Sequence, residues 1–358
     1  MAQTAIPADG AAVEALMGRL FEEATAAGSA VLGYLGVELG LWAALAGAGP
    51  LTAAEVAERT GCHERWVREW LLAEAAGGFV SVDAGPERFT LSPEAALVLA
   101  DERGPAFMGG VYSLAIAGAR DADRLASAFR SGTGLAAFDR DPLHLRGLES
   151  IARPTFEQSL AGSWIPALDG VLAKLTDGAS VADVGCGAGV STIILGREFP
   201  NSRYWGFDYD DAAIARARAS AAKAGVAGRV QFAVADAAGY PGRDYDLVCM
   251  FDAFHDLGDP VGAAAHVHKT LKPDGTLMLV EPYALAGAGE NVGSPVGRFY
   301  YIGSTLYCIP TALAQGGEMA LGAQAGEART RELLEAAGFS RFRRCAETAF
   351  QVVYEVRP

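Results

Sequence analysis

Five short apolar runs follow one another from Ser180 onward, and they constrain the fold of this chain more than any other feature. They are SVADVG, RYWGFD, VQFAVAD, YDLVCMFD and GTLMLVEP, and segments with helical periodicity separate them. Runs that are apolar at nearly every position are typical of strands buried on both faces of a parallel sheet. The alternation therefore predicts an α/β fold, a doubly wound Rossmann-like sheet that binds its ligand at the carboxyl ends of the strands. The two final runs, in RFRRCAETAFQVVYEVRP, predict an antiparallel hairpin added to the sheet edge.

A glycine-rich turn follows the first apolar run. VADVGCGAGVST places Asp183 at the strand end and Gly185, Gly187 and Gly189 in the turn. These glycines permit a tight backbone and close approach by a ligand. A dinucleotide would need a helix N-terminus facing its pyrophosphate. The carboxylate of Asp183 would repel that group and would instead suit the ammonium end of a cationic cofactor, directly or through water.

Two more acids stand at equivalent strand ends. Asp208 closes YWGFD, where a carboxylate can bind both hydroxyls of a ribose, and Asp236 closes FAVAD, where it can accept from an adenine amino group. Each acid alone is as well explained by a helix cap or a solvated turn. Three acids at three successive strand ends, together with the glycine turn, form a much more specific pattern.

In these motifs the chain resembles the class I S-adenosylmethionine (SAM)-dependent methyltransferases over residues 180–358. The resemblance implies a seven-stranded sheet with a C-terminal antiparallel hairpin and SAM as cofactor. It also extends to a bacterial subgroup that joins a winged-helix domain to the SAM domain, with a layout similar to small-molecule O-methyltransferases. The implied cofactor-binding residues are Asp183, Gly185, Gly187, Gly189, Asp208, Tyr209, Asp236, Ala237 and Phe251.

The first hundred residues predict a mainly helical winged-helix domain. Thr52 and Glu55 form a capping box before one helix, the turn TGCH leads into a second, and FVSVD and RFTLS are two short strands. DNA binding and dimerisation are both known uses of such a unit. The first hundred residues hold five arginines and no lysine against 13 acidic residues. That balance disfavours DNA and favours a dimerisation domain of a homodimer.

The expected domain order is a helical winged-helix-like domain at 1–103, a helical connector and substrate cover at 104–175, and the SAM-binding domain at 176–358. The net charge of −14 disfavours nucleic acid and anionic membranes as partners. Five widely spaced cysteines and a start without the features of a signal peptide indicate a reducing, cytoplasmic location.

His255, in FDAFHDLGDP, lies in the loop after the fourth run. Three interpretations stay open for it: a general base, a histidine packed into a domain interface, or a metal ligand. Glu281 at the end of the fifth run is the second candidate, able to pair with His255, to bind a metal with it, or only to close a strand. His266 and His268 are two residues apart on a helix and point to different sides, so neither is expected to complete a metal site with His255, and no residue is assigned as a metal ligand.

The substrate pocket is expected to be apolar or aromatic, although core packing explains many such residues equally well. Cys308 is not expected to act as a nucleophile, since no histidine is near it in the sequence. The candidate substrate-binding residues are Phe156, Trp164, Asp252, Tyr300, Tyr301 and Cys308.

The sequence therefore predicts a SAM-dependent methyltransferase that acts on a small molecule, with O-methylation slightly favoured. Two alternatives remain. The first is a SAM-binding transcriptional regulator with a DNA-binding winged helix. The second is a metal-assisted C-methyltransferase of a 2-keto acid, or an enzyme of the same fold that does not methylate.

Overall fold

The computed structural model describes residues 8–83 and 85–358. The expectation that the chain starts without a signal peptide falls largely on residues 1–7, which lie outside that part. The chain divides into two compact units, Met1–Ile116 and Ala117–Pro358, and each is described by itself. The three-part division at 103 and 175 stays a prediction. No helix in the described residues is both long and apolar enough to cross a membrane.

The first unit contains the predicted winged helix. Thr52 Oγ1 accepts from the backbone N–H of Glu55, and the Glu55 carboxylate accepts from the Thr52 N–H, so the capping box is confirmed. Gly61 ends that helix in the left-handed conformation that glycine tolerates. Its elements are α1 (Gly10–Glu38), α2 (Leu41–Leu45), α3 (Ala53–Thr60), α4 (Glu64–Ala76), the antiparallel strands β1 (Val80–Val82) and β2 (Phe89–Leu91), and α5 (Pro93–Leu99), while α6 (Gly110–Arg120) crosses the boundary.

The second unit alternates strands and helices as the apolar runs predict. Its helices are α7 (Ala122–Ser131), α8 (Leu143–Ser159), α9 (Ile165–Ala167), α10 (Val171–Asp177), α11 (Val190–Glu198), α12 (Asp211–Lys223), α13 (Pro260–Thr270), α14 (Ala288–Val292), α15 (Gly297–Gly303), α16 (Ile309–Ala314) and α17 (Gly326–Ala336). Its strands are β3 (Ser180–Val184), β4 (Arg203–Asp208), β5 (Val230–Val234), β6 (Tyr245–Phe251), β7 (Leu271–Pro282), β8 (Arg341–Glu347) and β9 (Gln351–Arg357). Short π-helical turns cover Leu160–Trp164 and Ser304–Cys308, and 3₁₀ turns cover Ala137–Asp139 and Phe254–Asp256.

The seven strands form one sheet in the order β5-β4-β3-β6-β7-β9-β8. Strands β3 to β7 are parallel, and β9 runs antiparallel to both β7 and β8, which confirms the predicted hairpin and the class I methyltransferase architecture. The chain moves outward from β3 to β4 and β5, then returns to place β6 on the other side of β3. The order in which strands are added therefore reverses between β3 and β6. Open α/β sheets bind their ligands at the carboxyl ends of the strands at such a point.

Both faces of the sheet are buried, which explains why its strands are apolar at nearly every position. Val181 of β3 packs into the core on one face, and its neighbours Ala182 and Val184 pack into the core on the other. Asp183 is the buried exception on this strand. A carboxylate enclosed between two apolar layers destabilises the fold unless it has partners. The position of Asp183 therefore indicates where the functional site lies.

Candidate active site

The turn after β3 has the tight backbone that its glycines predict. Gly185, Gly187 and Gly189 all have positive φ angles, of 75°, 50° and 80°. A Cβ built on Gly185 would press on Ala253 of the loop after β6, and one on Gly189 would press on the ring of Phe232. Larger residues would therefore strain the backbone and displace its neighbours.

Asp183 lies at the end of β3 and is fully buried. Its Oδ2 accepts hydrogen bonds from Ser191 Oγ at 2.7 Å and Thr192 Oγ1 at 2.6 Å. Its Oδ1 has no hydrogen-bond partner among the described residues. Burial raises the pKa of Asp183 to about 6, against the two hydroxyls that lower it. An orphaned carboxylate oxygen beside a glycine turn fits an ammonium group such as that of SAM and does not fit a phosphate.

Asp208, at the end of the neighbouring strand β4, is tied to the same turn. Its Oδ2 accepts the Gly187 N–H at 2.8 Å, and its Oδ1 accepts the Asp210 N–H at 3.0 Å. Burial raises the pKa of Asp208, while these backbone donors lower it. Next to it, the hydroxyl of Tyr209 accepts the N–H of Ala137 at 3.3 Å.

Asp236 follows β5, the third strand in this row, and is exposed. Its Oδ1 accepts the Ala238 N–H at 2.7 Å, and Ala237 lies between them, half-buried. The three acids therefore end three adjacent parallel strands at one edge of the sheet, as a cofactor with ammonium, ribose and adenine groups requires. Their roles in binding remain predictions.

His255 lies in the 3₁₀ turn after β6 and is buried, 4% exposed. Its Nδ1 is 2.9 Å from Glu281 Oε2, while Glu281 Oε1 accepts the Phe254 N–H at 3.2 Å. The structure thus brings together the two residues that the sequence singled out from separate strands. A carboxylate on Nδ1 fixes the orientation of the imidazole ring, with Nε2 on its opposite side.

Two further groups face the imidazole of His255. Nε2 is 3.2 Å from Asp256 Oδ1, and Cys308 Sγ joins them in a cluster whose ligand atoms all lie within 4.8 Å of one another. The expectation about Cys308 rested on the lack of a nearby histidine in the sequence, and in space His255 is close. Burial raises the pKa of the Cys308 thiol to about 11, which keeps it protonated and weakly nucleophilic.

The charge of His255 depends on these neighbours. Burial lowers the pKa of His255, but the carboxylates of Asp256 and Glu281 outweigh it and hold the pKa well above its ordinary value.

Asp252, at the end of β6, has a left-handed backbone with φ of 50° and a carboxylate that accepts from the amide of Gln351. Burial raises the pKa of Asp252 to about 7, helped by Glu281 and opposed by His255. Strained backbone and shifted pKa values concentrate at functional sites.

The other candidate substrate residues fall into different places. Phe156 and Trp164 pack as a T-shaped pair at 6.0 Å within the sheet core, and Phe251 lies 5.3 Å from Phe156. The Tyr300 hydroxyl donates to the Phe350 carbonyl in the turn before β9, and Tyr301 is half-buried on the same helix α15. Substrate contact by any of them stays a prediction.

Sequence inspection missed Arg140 and His144. Arg140 is buried and donates to backbone carbonyls near Cys308, and His144 stacks on Tyr307 at 4.4 Å. Burial and the nearby guanidinium lower the pKa of His144 to about 3. Neither residue stands in a motif or at a strand end, so the sequence offered no signal for them.

Comparison with known families finds one match in the methyltransferase region and one in the winged-helix region. Residues 182–277 match a methyltransferase domain family, and residues 27–101 match the Rv2258c-like winged helix-turn-helix domain. The chain carries a methyltransferase domain. The match starts within β3, beside Asp183, and ends within β7, so the methyltransferase domain contains the glycine turn, the three acids and His255.

Curated relatives match about a third of this chain. Trans-aconitate 2-methyltransferase of Streptomyces avermitilis is 38% identical over 107 residues, which is 30% of this chain and 40% of that protein. Polyketide synthase ThaQ of Burkholderia thailandensis is 29% identical over 117 residues, 32% of this chain and 6% of that protein. The chain spans less than half of the length of these relatives.

Solved structures match nearly the whole chain. A putative O-methyltransferase from Nostoc punctiforme has a TM-score of 0.72 at 17% identity, covering 95% of this chain and 98% of that one. Mitomycin 7-O-methyltransferase MmcR has a TM-score of 0.69 at 23% identity, covering 98% and 100%. Human N-acetylserotonin methyltransferase in complex with SAM has a TM-score of 0.68 at 20% identity, covering 99% of each. These likenesses establish the fold of the methyltransferase domain and of the helical part before it.

Proposed function

We propose that this protein is a SAM-dependent methyltransferase that methylates a hydroxyl group of a small, apolar or aromatic molecule. The observation that carries the proposal is the pair formed by His255 Nδ1 and Glu281 Oε2, 2.9 Å apart, at the strand edge that also holds Asp183 and Asp208. Two proteins of similar structure are named for methylation of mitomycin and of N-acetylserotonin, which supports a small-molecule acceptor.

SAM supplies an electrophilic methyl group on a sulfonium. In the proposed arrangement Asp183 Oδ1 would accept from the ammonium group, Asp208 from the ribose hydroxyls and Asp236 from the adenine amino group, and the glycine turn would hold the methionine part. Phe251 and Asp252, where β6 ends, would line the place of the methyl group. These contacts hold the donor still, which is much of what an in-line displacement requires.

His255 accepts the proton of the acceptor hydroxyl at Nε2. As the C–S bond breaks and the O–C bond forms, the hydroxyl oxygen would otherwise carry a growing positive charge, which transfer of its proton removes. Glu281 on Nδ1 orients the ring and stabilises the imidazolium that forms. A base of this kind contributes roughly 100-fold to 10,000-fold to a rate.

The test uses SAM with a labelled methyl group and a panel of small phenols and hydroxylated aromatic compounds. We expect one or more of them to gain a methyl group, detected by mass, with formation of S-adenosylhomocysteine. His255→Ala should bind SAM as the wild type does, by calorimetry, and transfer at least about 100-fold more slowly. Normal transfer by this variant would disprove the base assignment.

A metal-assisted C-methylation of a 2-keto acid is the second candidate, because His255, Asp256 and Cys308 each bring one ligand atom into a single cluster. Such a protein would bind a divalent metal tightly and lose transfer to a 2-keto acid after treatment with a chelator. Metal-free protein that methylates phenols at full rate would exclude this candidate.

We further propose that the protein forms a homodimer in the cytoplasm. Helix α1 leaves a row of large apolar side chains exposed within its own unit, and such rows are commonly covered by a second chain. The row consists of Val13, Leu16, Met17, Leu20 and Phe21, which are 42–74% exposed. All five cysteines are free thiols, which supports a reducing compartment.

DNA binding finds little support in the second helix of the winged-helix unit. Arg65 pairs with Glu69 at 2.5 Å, and Arg68 pairs with Glu87 at 2.5 Å. Arginines that are already paired with carboxylates offer less to a phosphate backbone. We therefore propose that this unit serves assembly and not DNA recognition.

A further inference from the structure

Residues 134–140, here called the strap, lie against the helix that carries Cys308. A Cβ built on Gly134 would overlap the backbone nitrogen of Ala314 and the carbonyl oxygen of Pro310, so only glycine allows this approach. The next residue, Leu135, donates its N–H to the Pro310 carbonyl at 2.9 Å. The strap thus contacts the helix backbone directly.

That helix runs from α15 through the π-helical turn Ser304–Cys308 into α16, and Pro310 lies just after the turn. Proline has no N–H, so the carbonyl of Leu306, four residues earlier, loses the donor that a regular helix would supply. A buried carbonyl without a donor is destabilising. Wide turns of this type are frequent at functional sites.

Arg140 donates to the Leu306 carbonyl, and to the groups next to it, from the strap. Its Nη1 donates to the Leu306 carbonyl at 2.8 Å, and its Nη2 donates to the Tyr307 carbonyl at 2.9 Å and to Thr311 Oγ1 at 3.2 Å. The guanidinium is buried, and its Nη2 also donates to the Leu135 carbonyl within the strap at 3.1 Å. Its hydrogen bonds therefore join the strap to the helix.

Both ends of this arrangement reach the candidate site. Cys308 directly follows the two carbonyls that Arg140 holds, and it faces His255. In the strap, the Ala137 N–H donates to the hydroxyl of Tyr209, and the Phe138 ring packs on the Tyr209 ring at 6.2 Å. The strap connects the residue after Asp208 with the wall beside the imidazole.

We propose that Arg140 is a positioning residue: it closes the gap that Pro310 leaves in the helix and thereby holds Cys308 against His255. The proposal rests on the proposed function only for its effect on methyl transfer. The fixed position of Cys308 can be measured without cofactor or substrate, so the two proposals can fail separately.

The test is the rate at which a maleimide reacts with each cysteine, resolved by peptide mass spectrometry. In Arg140→Lys the charge remains, but one ammonium cannot reach both carbonyls and Thr311. We expect Cys308 to react about tenfold faster or more, because local opening becomes easier, while Cys249 in β6 stays protected. Adding Pro310→Ala to this variant returns an N–H for the Leu306 carbonyl and should restore much of the protection of Cys308.

Arg130→Lys, on an exposed side chain of α7, is the matched control and should react as the wild type does. With a phenol that the wild type methylates, Arg140→Lys should lower kcat and leave the Kd for SAM unchanged. Wild-type protection of Cys308 in Arg140→Lys, or no rescue by Pro310→Ala, would overturn the proposal. If Arg140→Lys fails to fold, Thr311→Val decides: it removes one acceptor and should also speed modification of Cys308, and no change there would equally overturn it.

Discussion

The carboxylate of Asp208 accepts the backbone N–H of Gly187 at 2.8 Å, which joins the end of β4 to the glycine turn after β3. The acid proposed for the ribose therefore also fixes the turn proposed for the methionine part. Replacing this one residue should affect both ends of the cofactor.

Asp208→Ala should weaken SAM binding by about 100-fold or more. It removes the acceptor for two ribose hydroxyls, each worth about 1.5 kcal/mol or more when the acceptor is charged, and it frees the Gly187 N–H. Isothermal titration calorimetry measures the change. The control is Asp177→Asn, an exposed acid at the end of α10. Equal affinity of Asp208→Ala and wild type would contradict the ribose assignment.

Gly189→Ala should destabilise the fold and weaken SAM binding together. The added methyl would need a φ near 80° and would press on Phe232 and Ala217, for a cost of about 3 kcal/mol in the free energy of unfolding. Gly225→Ala is a matched control, since Gly225 has φ of 71° with no atom near a built Cβ. It should cost only about 1 kcal/mol and leave SAM binding intact. Urea unfolding and calorimetry separate the two cases.

Glu281→Gln should move the pH dependence of methyl transfer to lower pH. His255 accepts a proton only when neutral, so the rate rises as pH increases through the pKa of His255, which Asp256 and Glu281 hold above its ordinary value. Removing one carboxylate lowers that pKa, and the maximal rate also falls because the imidazolium loses its partner. Rate measurements across pH test this, with the exposed Glu335→Gln as control. A rising limb that keeps its position would argue against His255 as the base.

Leu20→Glu combined with Phe21→Glu should convert the proposed homodimer into monomers. These side chains are 68% and 74% exposed on α1, and burying two charges in an interface should weaken association by roughly 100-fold or more. Sedimentation velocity over a range of concentrations gives the result. Leu172→Glu, at a 41% exposed position on α10, is the control. A wild-type protein that sediments as a monomer would refute the proposal at once.

The sheet and the edge proposed to bind the cofactor could be predicted because residues close together in the sequence determine both. Buried parallel strands are short apolar runs, and the acids at their ends follow them directly, as Asp183 and Asp208 show. The contact of Cys308 with His255 and the role of Arg140 could not be found in this way, since their partners are separated from them by 53 and 166 residues. The π-helical turn has no sequence signal beyond Pro310, so its need for an outside donor is visible only in three dimensions.

Strand β9 lies between β7 and β8 in the sheet, and its first residue, Gln351, holds the carboxylate of Asp252. A chain that has emerged from the ribosome only as far as β8 lacks the strand that pairs with β7 and the amide that holds Asp252. The wall of the site beside Asp252 is therefore completed only after every group proposed for SAM has been synthesised. In the living cell, the capacity to hold the methyl donor would precede the capacity to use it.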